Sequence, residues 1–126
     1  MSANRQGWVS VDVMTDSGPQ AFRVTQGLRF YERSGVQCIE ASNDRGWEFH
    51  IHLPMAIESG RFSLGLSERS PMVIHLTGNS EAELYRGRLE LKVGGDAHFS
   101  GNFCGIDADG FEIENGSFRL EHESGV

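Results

Sequence analysis

The chain has 126 residues, 38% hydrophobic and 23% charged, with a formal net charge of −7. That length and composition fit one folded domain with its own core, spanning residues 1–126, and exclude a disordered chain. Lys and Arg number 11 against 18 Asp and Glu and are scattered along the chain. The basic patch that a nucleic-acid partner requires is therefore missing.

From the N-terminus, Met1 to Gly7 carry one Arg with no apolar run behind it, so no signal peptide is expected. No stretch has the length needed to span a bilayer. The expectation is a cytoplasmic protein with no membrane partner, in which Cys38 and Cys104 stay reduced as small apolar side chains.

Alternation with period two then recurs along the chain, which is the signature of strands. Val9, Val11 and Val13 share one face, with Trp8, Ser10 and Asp12 on the other. Shorter candidates follow at Phe22 to Val24, Leu28 to Tyr31 and Val36 to Ala41. Trp47, Phe49, Ile51 and Leu53 point one way and Glu48, His50 and His52 the other. Pro54 to Gly60 reads as a single helical turn, with proline at its start and glycine at its end. The faces Phe62-Leu64-Leu66 and Met72-Ile74-Leu76 come next.

The last third reads as a meander. Tyr85, Gly87, Leu89, Leu91 and Val93 form an inner face, and a loop at Gly94-Gly95-Asp96 pairs Leu91 with Phe99, Leu89 with Gly101 and Gly87 with Phe103. Ala108-Asp109-Gly110 suits a three-residue hairpin loop ending in a left-handed glycine. Asn115-Gly116 suits a two-residue hairpin turn pairing Ile113 with Phe118, Phe111 with Leu120 and Glu112 with Arg119. Sixteen glycines against three prolines agree with many tight turns. About nine or ten antiparallel strands must curl into a β-barrel or split into a β-sandwich, giving an all-β fold.

Residues 85–120, with their Gly-x-Phe and Asn-Gly-x-Phe endings, resemble the C-terminal hairpins of small all-β domains in uncharacterised bacterial proteins. The resemblance implies a fold and a bacterial or phage source, and no activity.

His50-Ile51-His52 is the sharpest chemical pattern, because imidazoles two apart on a strand share a face and can hold one metal. With Glu58, His75 and Asn79 downstream, it resembles the metal-binding pattern of the cupins, which implies ligation by His50, His52, Glu58 and His75. The spacing departs from that family: Asp44 stands where a glycine is expected, and the two motifs share Gly65. Strand parity also sets His50 and His52 opposite the apolar face, so no stoichiometric metal and no cofactor are expected. Asp107-Ala108-Asp109-Gly110 with Glu112 and Glu114 resembles part of a calcium loop, but the same residues are accounted for by a turn. A Gly-x-Ser-x-Gly elbow, a phosphate-binding glycine loop and a Cys-x-x-Cys pair are all missing.

The reading is thus a non-enzymatic binding domain whose partner is another protein, immunity- or inhibitor-like, with Trp8, His50 and His52 as candidate contact residues. Two alternatives stand beside it: a β-barrel that encloses a small ligand, and a cupin-like metal enzyme using His50, His52 and His75. A filled interior favours surface binding, and a hollow one favours the enclosed ligand.

Overall fold

The computed structural model describes residues 3–65 and 70–123. Leu66, placed above on one face with Phe62 and Leu64, lies outside the described residues. The strands are β1 (Ala3–Arg5), β2 (Gly7–Thr15), β3 (Gly18–Val24), β4 (Leu28–Arg33), β5 (Val36–Ser42), β6 (Glu48–Pro54), β7 (Gly60–Leu64), β8 (Met72–Thr77), β9 (Ser80–Val93), β10 (Phe99–Asp107) and β11 (Glu112–Leu120). All belong to one connected antiparallel sheet in the order β1-β4-β5-β6-β8-β9-β10-β11-β2-β3, with β7 also paired to β9. The described residues contain no helix, and so none long and apolar enough to cross a membrane. The Pro54 to Gly60 stretch is a turn, with Ala56 at positive φ and the Ile57 amide donating to the Pro54 carbonyl at 3.3 Å.

Two long runs of chain curl this sheet into a front and a back half. β9 pairs first with β8 through Ser80–Glu83 and then with β7 through Gly87–Leu91, while β10 lies along its other edge. β1 pairs with β4 in the front, and β2 with β11 and β3 in the back. At the junction, Gly7 lies at φ 149°, and a Cβ there would sit 2.0 Å from the Arg119 carbonyl oxygen, so only glycine fits the crossing.

The core lies between the halves. Val9, Val11, Val13, Phe22, Leu89, Phe99, Phe103, Ile113, Phe118 and Leu120 enter from the back, and Leu28, Ile39, Phe49, Ile51, Leu53 and Val73 from the front. The Phe22 and Phe49 rings meet edge to face at 4.9 Å across the interface. Each such side chain contributes roughly 1.5–3 kcal/mol by leaving water.

Several sequence expectations are corrected here. β9 and β10 pair Val93 with Phe99, Leu91 with Gly101, Leu89 with Phe103 and Gly87 with Gly105, two residues away from the expected register. A shift of two preserves the faces, so the inward set of Leu89, Leu91, Phe99 and Phe103 survives. A bulge between Ile106 and Asp107 turns Leu84 inward and leaves Tyr85 47% exposed. On β8 the apolar alternation is inverted: Val73 and His75 are buried, whereas Met72, Ile74 and Leu76 lie on the outer face beside β6. The three-residue loop at Ala108-Asp109-Gly110 is present, with Gly110 at φ 91° and its amide donating to the Asp107 carbonyl at 2.9 Å.

The largest correction is Asn115-Gly116. β11 runs straight from Glu112 to Leu120, and both its neighbours change register at this dipeptide. Asn115 alone takes positive φ, at 55°. The pair therefore makes a bulge, and Ile113 and Phe118 lie along one strand instead of facing each other. Gly116 instead leaves room for the Phe103 ring opposite it, whose carbons would lie 2.5 Å from a Cβ there.

Candidate functional site

Because Ile39, Ala41, Phe49, Ile51 and Leu53 point inward, the alternate residues of β5 and β6 form the outer face of the front half. In register, Arg29 stands beside Glu40 and Glu40 beside His50, while Tyr31 stands beside Cys38 and Cys38 beside His52. His50 lies between two carboxylates. Its Nε2 is 2.9 Å from Glu48 Oε1, and its Nδ1 is 3.9 Å from Glu40 Oε2.

Glu40 is only 8% exposed. It accepts a hydrogen bond from the Tyr31 hydroxyl and lies 3.3 Å from an Arg29 nitrogen. The bond to Glu40 pushes the Tyr31 phenol up to about 12, since losing the proton would set two anions together. The bond to His50 holds the Glu48 carboxyl below its usual range. His52 is displaced downward, first by burial and then by the neighbouring charge of His50. Donor atoms of Glu40, Glu48 and His50 lie within 4.8 Å of one another.

The four residues of the cupin-like reading do not converge. His75 is paired with Phe49 on the inner face of β8, whereas His50 faces Ile74 on the outer side. Glu58 is exposed in the turn after β6. One ion cannot be held from both sides of a sheet, so His50, His52, Glu58 and His75 are not a ligand set. Glu40 and Glu48 join His50 instead. Glu48 is legible in the sequence as the same-face neighbour two residues before His50, but Glu40 arrives through the β5–β6 register.

His75 and Asp107 form a second polar pair inside the core, 1% and 0% exposed, with Nδ1 3.0 Å from Oδ2. The other Asp107 oxygen accepts from the backbone N–H groups of Asp109 at 3.0 Å and Phe111 at 2.9 Å. The His75 ring stacks on Phe49 at 4.7 Å and meets Trp47 edge to face at 5.3 Å. Its Nε2 has no hydrogen-bond partner among the described residues. The pair ties β8 to the β10–β11 turn and is sealed from solvent. Asp107, read above as part of a calcium-loop pattern, is thus committed to the core.

Trp8 stands on the outer face of the back half, 38% exposed, beside Arg119 in the register. Across the strands, one row runs Arg61, Glu90, Asn102, Ser117 and the next runs Lys92, Ser100, Arg119, Trp8. The short side chains of Ser100, Asn102 and Ser117 lie between the long ones, leaving an open trough of about 510 Å³. Trp8 and the pair His50 and His52 therefore belong to opposite faces and do not form one contact surface. Cys38 and Cys104 are likewise on opposite outer faces, and both are free thiols.

Compared with known protein families, with curated proteins and with solved structures, the chain has no match.

Proposed function

We propose that this domain is a non-enzymatic binding module whose partner is another protein, as immunity proteins and inhibitors are, engaged through the Trp8 trough. The observation that carries this reading is a tryptophan left 38% exposed at one end of an open trough floored by serine and asparagine side chains. Tryptophan is the residue type most enriched among binding hot spots, because one ring supplies a large contact area at low entropic cost. Arg61, Glu90, Lys92 and Arg119 supply a charged rim.

The packed interior supports surface binding over an enclosed ligand. Phe22, Phe49, Phe99 and Phe118 are all buried in the space between the halves, where a ligand chamber would have to be. The buried His75–Asp107 pair has no route to a substrate and serves no hydrolytic or acid–base chemistry. A cytoplasmic setting, which keeps Cys38 and Cys104 reduced, belongs to the same reading.

A photo-crosslinking amino acid at Asn102, in cells that natively carry the protein, tests it. A discrete protein adduct is expected from Asn102, lost on Trp8→Ala, and none from the same group placed at Glu83 on the front half. Trp8→Ala is expected to leave the denaturant midpoint nearly unchanged. Equal labelling from both positions, or none from Asn102, refutes the reading.

A further inference from the structure

We infer that the protein partner seats an extended acidic segment on the back half, over β10 and against a strip of cationic side chains on β9. The inference rests on the Trp8 trough being the seat of a protein partner and adds the chemistry of what that partner presents. Parity sets Arg86, Arg88, Glu90 and Lys92 together on the outer face, all four exposed. Glu90 is engaged by Arg61 of β7, with 3.6 Å between Arg61 Nε and Glu90 Oε1. Arg86, Arg88 and Lys92 form no ion pair among the described residues. The register supplies the reason: Arg88 stands between Ser63 and Cys104, Lys92 beside Ser100 and Arg86 beside Ile106, so no carboxylate adjoins them in the sheet. In a chain of net charge −7, this strip is a local reversal of sign.

The relief of the sheet suits an extended chain. Ser100, Asn102 and Cys104 are the short outward side chains of β10, and the long ones of β9 stand along one side of them. The trough over Ser100 and Asn102 is continued by a hollow of about 450 Å³ beside Arg88 and Cys104. Alternate residues of a strand lie about 6.8 Å apart, so Arg86 to Lys92 covers about 20 Å. A segment lying over β10 repeats its own alternate side chains at the same interval, and acids turned towards β9 meet the strip in step. Arginine suits this task, because its guanidinium holds a carboxylate through paired N–H donors. Of the three large apolar side chains that the described residues leave exposed, two flank the strip. Trp8 shares the row of Lys92, and Tyr85 adjoins Arg86, whose guanidinium carbon lies 5.8 Å from the Tyr85 ring centroid.

The surroundings favour a short carboxylate-bearing segment over a nucleic acid. The strip is one strand wide and is interrupted by Glu90, while Asp12, Glu112 and Glu114 stand on the strands beyond it. Arg119 adds no free cation, because Asp96 and Glu121 already hold it. A polyphosphate longer than the strip meets those acids at like charge. An acidic stretch with apolar side chains at its ends meets Trp8 and Tyr85 instead.

The test is fluorescence anisotropy of a labelled octapeptide of alternating Glu and Thr, titrated with the purified full-length protein at about 0.15 M salt. Screening over about 8 Å then leaves the strip, and not the net charge, to govern binding. Saturable binding at about 1 mM or below is expected, and the matching Lys and Thr octapeptide and octathymidylate are expected to bind about tenfold more weakly or worse. Arg88→Glu with Lys92→Glu is expected to weaken the Glu and Thr peptide about tenfold or more, and Arg33→Gln on the front half less than about twofold. Arg88→Gln with Lys92→Gln is expected to keep the parent's melting midpoint and still weaken it about threefold or more, so the charge is tested even where the reversal disturbs folding. No saturable binding, octathymidylate binding as tightly as the peptide, or unchanged affinity in the Gln pair overturns the inference. The photo-crosslinking group at Asn102 separates it from the trough reading. An adduct that needs Trp8 but survives Arg88→Glu with Lys92→Glu upholds the trough as a protein site and overturns the acidic segment. No adduct from Asn102 refutes the trough reading, and charge-dependent peptide binding then still upholds the strip.

Discussion

Replacing Gly116 with Ala is the sharpest test of the back-half register. Gly116 lies opposite Phe103, and its φ is not positive, so alanine meets no backbone penalty there. The cost is packing alone. The added methyl would lie 2.5 Å from two Phe103 ring carbons and 2.6 Å from the Phe103 carbonyl oxygen. The ring is 3% exposed and bounded by Phe49 and Phe118, each 6.2 Å away between centroids, so it has little room to retreat. Overpacking of this kind costs about 1–3 kcal/mol, and a displaced backbone carbonyl places this site near the top of that range even after the entropic gain of alanine over glycine. Unfolding entropy near 2.1 cal/mol/K per residue gives about 0.26 kcal/mol/K for this chain, so about 2.5 kcal/mol lowers Tm by roughly 10 °C. Guanidinium melts at constant m read the same change as a lower midpoint. Phe103→Leu combined with Gly116→Ala is expected to cost less than the sum of the two single changes by about 1 kcal/mol, because the smaller side chain gives the methyl space. Asn115→Gly is expected to cost no more than about 1 kcal/mol, since glycine takes positive φ freely while the exposed bond from the Asn115 amide to Asp12 is lost. A Gly116→Ala protein within about 0.5 kcal/mol of the parent, or an additive cycle, refutes the reasoning.

Two further outcomes follow from the polar contacts. Asp107→Ala is expected to destabilise by about 3 kcal/mol or more in urea melts, because it strands the His75 nitrogen and two turn amides, while Asp107→Asn costs less by retaining an acceptor for the amides. Stability is also expected to fall as pH drops from 7.5 towards 5, with His98 contributing. Burial first, and then Arg5 and His122, hold His98 below its ordinary 6.5, against the opposite pull of Glu123 and Glu32. Arg5 donates to His98 Nδ1 at 3.2 Å, which needs that nitrogen unprotonated. The folded state therefore binds fewer protons than the unfolded one below 6.5, so this contribution is complete above that pH and is lost as pH falls through the lowered folded value. The pH dependence of urea melts is expected to flatten in His98→Asn, and an unchanged slope counts against the assignment.

Period-two alternation along β2, β6 and β9 marked these segments as strands, because a strand with one buried face must alternate. It also set the inward Val9, Val11 and Val13, the inward Phe49, Ile51 and Leu53, and the outward His50 and His52. The three-residue turn at Ala108-Asp109-Gly110 was legible for a local reason: backbone conformation and one side-chain acceptor decide it within five residues. Asn115-Gly116 was misread because one dipeptide suits both a hairpin turn and a bulge. The choice between them depends on whether β2 and β10 flank β11 on both sides.

β8 was misread because both parities of Met72 to Leu76 are apolar apart from His75, and only the buried acceptor on Asp107 makes the inward histidine tolerable. The same limit governs the sites. Trp8 and His50 were visible as residue types, but strand parity cannot say that they occupy opposite faces of a curled sheet. Glu40 meets His50, and Arg61 faces Trp8 across the trough, only through pairings between separate strands. The sequence by itself thus determined most of the strands, most of their inward faces and the turn at Ala108-Asp109-Gly110, all of which depend on neighbours in the chain. Tertiary structure decided the register, the bulges and the grouping of polar side chains, because those depend on contacts between residues far apart in sequence.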